Sequence, residues 1–209
     1  MQSPLVTDQP TDGSRQPLFP LRCGWTGLIV LDATWVWVLM LLFHESGHVI
    51  TAWLTGGAVQ STNLFPGALG HTFVEPNPAP NWVVWGGFLA GSGAPLLLLA
   101  VGSQAFPSAR QDLGLLAGFC LFANGAYLAA GGGETLTDTG ALIALGWPHW
   151  LLVVLGILLA IPGYLLCRRC LVQRFRDYQS GQFSPRNLFF RGLGLVIWVS
   201  VQARLLPHE

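Results

Sequence analysis

Apolar residues fall in long runs along this chain, separated by short polar stretches rich in glycine and proline. The first run covers 25–54 and is broken only by Asp32 and the polar segment from His44 to His48. At about 1.5 Å per residue, this is longer than a hydrocarbon core of about 30 Å requires. The pattern therefore predicts an interfacial lead-in over 24–31, a membrane span over 33–55 and a stop at Gly56-Gly57. Residues 58–81 are too polar to span, and Pro76, Pro78 and Pro80 exclude a helix there. A loop or small hairpin on the membrane face is expected instead. Further spans are predicted over 82–101, 113–130 and 150–167. A short helix is expected over 137–146, interrupted by Pro148. A weaker fifth apolar stretch occupies 192–206.

The expected fold is all-α and polytopic, with four to five transmembrane helices and a short loop or β-hairpin between the first two. Composition supports it: 10% of residues are charged, against about 25% in soluble proteins. There is no lysine, and the formal net charge is zero, which excludes a nucleic-acid partner that needs a basic face. Six of the ten arginines, Arg168, Arg169, Arg174, Arg176, Arg186 and Arg191, follow the fourth span. By the positive-inside rule that segment is cytoplasmic, and counting back places Arg110 and the N-terminus on the same side. The expected divisions are a disordered or interfacial cytoplasmic leader (1–24), a membrane-embedded core (25–167), a basic cytoplasmic loop (168–191), and a fifth apolar helix with the C-terminus (192–209). The leader lacks the basic start and apolar core of a signal peptide. Cys167 and Cys170 form a CxxC with no second pair to complete a four-cysteine zinc site.

The chemistry concentrates in His44-Glu45-Ser46-Gly47-His48. Two histidines four apart on a helix are turned by about 400°, so they share a face and can share a metal ion. Glu45 stands beside them, where a carboxylate can take a proton from water. Imidazoles and a carboxylate in mid-span are costly and imply a purpose. A catalytic zinc has about three protein ligands and an open position. Among Asp138, Glu134, His71 and His149, Asp138 is favoured as the third, because an aspartate opening a membrane-embedded helix is otherwise hard to justify; capping that helix is its competing role. Asp32 lies about 18 Å along the helix from His44 and cannot reach the same ion. Asn124 fits either a substrate or water contact or a helix–helix contact, and His71 is a second candidate for substrate or water.

These residues resemble the site-2 protease family of intramembrane zinc metalloproteases, especially its small bacterial members. The resemblance rests on Phe43 to His48 with the Leu54 to Gly57 stop, on Pro66 to Thr72, on Gly91 to Pro95 and on Asp138-Thr139-Gly140, and it covers roughly 33–166. It implies Zn2+ held by His44, His48 and Asp138, with Glu45 as the base. It further implies hydrolysis of peptide bonds in or near the transmembrane segments of a membrane protein or peptide substrate. The implied setting is the lipid bilayer of a bacterial inner membrane. The pattern departs from the family's at Thr137-Asp138-Thr139-Gly140, where the usual motif is Leu-Asp-Gly. The competing expectations are a metal-binding partner or regulator without proteolysis and a small transporter with a polar relay. Glu45 argues against the first, and the lack of paired halves against the second. The sequence leaves the oligomeric state undetermined.

Overall fold

The computed structural model describes residues 18–64, 70–133 and 137–180, with 192, 194–196 and 200. Helix α1 (Leu18–Leu54) leads into an antiparallel hairpin of β1 (Val59–Asn63) and β2 (His71–Val74). Helices α2 (Pro80–Ala105) and α3 (Arg110–Ala130), the short α4 (Asp138–Ala144) and α5 (His149–Gln179) follow. Among the described residues, four helical stretches are long and apolar enough to cross a membrane: Ile29–Leu54, Pro80–Ala105, Pro107–Gly133 and His149–Gln179. The chain is thus an integral membrane protein with the hairpin between its first two spans. Only 17% of the α5 span is buried within the bundle, so most of its apolar surface is left for lipid.

One stripe of α1 organises the interior. Asp32, Val36, Met40, His44, His48 and Ala52 are all buried, and their spacing of four forms a ridge that winds slowly around the helix, each step sharing a face with the next. The helix ends where predicted: Gly56 adopts φ +80°, and the Gly57 amide returns to the Ala52 carbonyl at 2.8 Å, a glycine-terminated C-cap. Helix α2 begins with proline in its first turn, where a missing N–H costs nothing. It crosses α1 with backbone against backbone, since a Cβ on Gly47 would fall on the Gly86 carbonyl. Gly47 thus makes room for a neighbouring helix. Helices α3 and α5 meet in the same way at Gly125 and Gly156, and at Gly118 and Gly163. Small residues permit such close crossings in lipid.

All four long helices exceed their expected bounds, α2 starting at Pro80 within the segment from which a helix was excluded, and α1 and α5 gaining the most. Residues 24–31 belong to the continuous α1, and residues 168–179, assigned from sequence to the basic loop, form the last turns of α5. Neither glycine nor proline occurs between Arg168 and Gln179 to stop that helix. The extension has a structural use. Arg174, buried, pairs with Asp32 of α1 and Asp112 of α3, clamping three helices at one end of the bundle. Of the expected leader over 1–24, residues 18–24 belong to α1, while residues 1–17 and most of the fifth stretch, 192–206, lie outside the described residues.

Candidate metal centre

His44 and His48 project from α1 toward α2, α3 and the first residue of α4. His44 Nδ1 lies 2.7 Å from Asn124 Oδ1. The Asn124 amide is itself fixed, because its Nδ2 donates to the Cys120 carbonyl at 2.9 Å. His48 Nδ1 lies 2.8 Å from the Val83 carbonyl. Both outer nitrogens therefore face acceptors and carry protons. Both inner nitrogens face one carboxylate oxygen: Asp138 Oδ2 is 2.7 Å from His44 Nε2 and 3.3 Å from His48 Nε2.

This arrangement tests whether the residues suit a cation. Without one, three acceptor atoms converge in a buried site: the inner nitrogens of two neutral rings with centroids 4.8 Å apart and the Asp138 oxygen. Lone pairs so close and so poorly hydrated are costly. One divalent ion between neutral rings satisfies the same donors. Atoms bound to one tetrahedral ion at about 2.0–2.1 Å stand about 3.3 Å apart. The His48–Asp138 separation fits that value, and the His44–Asp138 contact needs to open by about 0.6 Å. Burial opposes ionisation of Asp138, but hydrogen bonds from His44 and His48 outweigh it and hold the carboxyl well below the usual range. The donor set fits a metal ion.

Glu45 points toward the same space. His44, Glu45 and His48 offer ligand atoms within 4.8 Å of one another, yet Glu45 is also held from the hairpin, where the Thr72 hydroxyl donates to its Oε2 at 2.7 Å. Two glycines make room for these side chains. A Cβ on Gly87 would meet both imidazoles, and one on Gly70 would meet Glu45 Oε1 at 2.8 Å. Gly87 and Gly91, four apart, have the spacing of a surface for a passing helix, but they face the imidazoles and the Asn124 amide.

Other candidates are placed as follows. His71, exposed on β2, lines the cavity of about 620 Å3 that contains His44, Glu45, His48, Asn124 and Asp138. His149 packs near Gly132 at the start of α5, outside that cavity lining. Glu134 lies outside the described residues. Thr137 caps α4 by accepting from the Gly140 amide at 3.0 Å, so Asp138 is not required as the cap. Sequence reasoning passed over Thr72 and Tyr127, which also line the cavity. A lone hydroxyl in a polar loop and a tyrosine in an apolar helix carry no local signal of a site.

Membrane-crossing helices around a cluster of histidines and carboxylates able to hold a metal define an intramembrane metallohydrolase. A family model described as Peptidase M50B-like matches residues 26–150, more than half of the chain, and the chain belongs to that family. Comparison with curated proteins and with solved structures gives no match. Family membership and the cluster together identify an intramembrane metalloendopeptidase of the site-2 protease type, acting on a membrane-embedded substrate.

Proposed function

We propose that this protein binds one zinc ion through His44, His48 and Asp138 and cuts peptide bonds in or near transmembrane segments, with Glu45 as general base. The convergence of His44 Nε2, His48 Nε2 and Asp138 Oδ2, with both outer nitrogens held by acceptors, is the observation that carries this reading. Bound zinc would supply Lewis acidity, lowering the pKa of a water toward 7 and polarising the scissile carbonyl. Glu45 accepts the proton of the attacking water and returns it to the leaving amine. Thr72 keeps that carboxylate turned toward the cavity. Asn124 fixes the His44 ring and its tautomer, as outer partners of metal-binding histidines do. His71 meets the substrate where the cavity borders the hairpin.

A helical substrate must unwind before its carbonyls can be attacked, because each is paired within the helix. The cavity of about 620 Å3 is bordered by His71 to Val74 of β2, whose edge could take up an extended segment. For orientation, Arg110 opens α3, and Arg168, Arg169, Arg174 and Arg176 lie in the last turns of α5. The Gln111 amide donating to the Cys170 carbonyl brings these two regions together. One end of the bundle is thus arginine-rich, which supports placing that end and the N-terminus in the cytoplasm of a bacterium, with the spans in its plasma membrane.

The test is Glu45→Gln in the full chain, co-expressed with a membrane protein substrate. Zinc should remain bound while cleavage is abolished, whereas His48→Ala should lose both. Wild-type cleavage by Glu45→Gln would overturn the mechanism.

A further inference from the structure

Tyr127 is a polar group of the cavity that this reading leaves without a task. It lies three residues after Asn124 on α3, so the two share a face, and both line the cavity with the metal-site residues. Its ring packs edge-on against His44, with centroids 6.2 Å apart at 72°, and tilted against Phe88 at 6.0 Å. Its hydroxyl oxygen accepts from the Asp138 amide at 3.3 Å, which fixes it beside the carboxylate of the site. The phenolic proton has no acceptor among the described residues. The residue is 37% exposed and is part of the cavity wall. The start of α4 does not depend on this contact alone, since Thr137 already caps it.

We propose that the Tyr127 hydroxyl donates a hydrogen bond to the substrate carbonyl oxygen as that oxygen gains charge, making Tyr127 a second catalytic residue. The inference rests on the proposed peptidase chemistry. The carbonyl carbon gains its bond to the water oxygen while its π pair moves onto oxygen; the phenol shares its proton with that oxygen and keeps it. The proton that reaches the leaving amine travels through Glu45. Base and donor come from different elements, Glu45 held by the hairpin and Tyr127 by α3. A fixed donor in a site of low dielectric stabilises developing charge without reorganising at the moment of reaction.

The experiment compares wild type, Tyr127→Phe and Glu45→Gln as full chains in lipid nanodiscs. Zinc per chain, steady-state cleavage of a transmembrane peptide, and affinity for a phosphinate analogue of that peptide are measured. Tyr127→Phe should lower kcat about 100-fold, with KM little changed and zinc retained. The phosphinate, which carries the tetrahedral oxyanion in stable form, should bind more weakly by a comparable factor. An unchanged kcat with zinc in place would overturn the assignment. So would a fall in kcat matched by a loss of zinc, which would make the phenol a support for Asp138 only. Full cleavage by Glu45→Gln would remove the underlying mechanism and Tyr127's role with it, a failure distinguishable from either of the others.

Discussion

A methyl group on Gly87 should empty the metal site while favouring the helix that carries it. An ideal Cβ there lies 2.5 Å from His48 Cε1 and Nε2 and 2.8 Å from His44 Nε2. Non-bonded heavy atoms settle at about 3.5–4.0 Å, so the imidazoles would have to retreat by about 1 Å. His48 cannot simply swing aside, because its Nδ1 is tied to the Val83 carbonyl at 2.8 Å. Metal–ligand distances tolerate only about 0.2 Å, so Gly87→Ala should lose at least one ligand bond. The expected fall in zinc affinity is about 100-fold or more, or about 2.8 kcal/mol at 1.4 kcal/mol per decade. Gly93→Ala, on the same helix with nothing within 4 Å, is the control. It should keep full zinc and gain about 0.5–1 kcal/mol of helix stability. Zinc content after graded chelator competition, read beside thermal melting, separates the two. Wild-type zinc affinity in Gly87→Ala would refute the placement of the imidazoles.

Three further outcomes are expected. Asn124→Leu should weaken zinc binding by about 10–100-fold in chelator competition, because it leaves the His44 Nδ1 proton without its acceptor. Thr72→Val should cut turnover by about 10-fold or more with zinc retained, since hydrogen bonds to a charged group are worth about 1.5–3 kcal/mol, and Thr72→Ser should restore most of it. Arg174→Met should destabilise the bundle by about 3–5 kcal/mol in detergent melts. Most of that loss arises from buried Asp32, since Asp112 is partly screened by solvent. Adding Asp32→Asn and Asp112→Asn should recover stability, with zinc content unchanged in all three backgrounds.

The parts of the site legible in the sequence are those written in local periodicity. The interval between His44 and His48 is about one helical turn, which brought the two imidazoles to one face, whereas the burial of Val36 and Met40 on the same helix emerged only from the structure. Asp138 stood out because an acid among apolar neighbours needs a reason. The hairpin followed from its prolines and polarity, although its pairing of Asn63 with His71 did not. Contacts between elements distant in the chain remained hidden. Thr72 reaches Glu45 across 27 positions, and Arg174 reaches Asp32 across 142. No window of local pattern spans such intervals. The tasks of Gly87 and Gly91 were hidden for a related reason: small residues at helical spacing read alike whether they admit a backbone or a side chain.

The carboxylate that closes the donor set stands 94 positions after His44. During synthesis, both histidines and Glu45 are therefore in place well before Asp138 emerges. A nascent chain carrying only α1, the hairpin, α2 and α3 holds two of the three proposed ligands and lacks the third. Completion awaits α4, after the spans that build the cavity have been made. Chain order thus brings in the last of the three proposed ligands only after α1, the hairpin, α2 and α3, and before α5, the span that packs on α3.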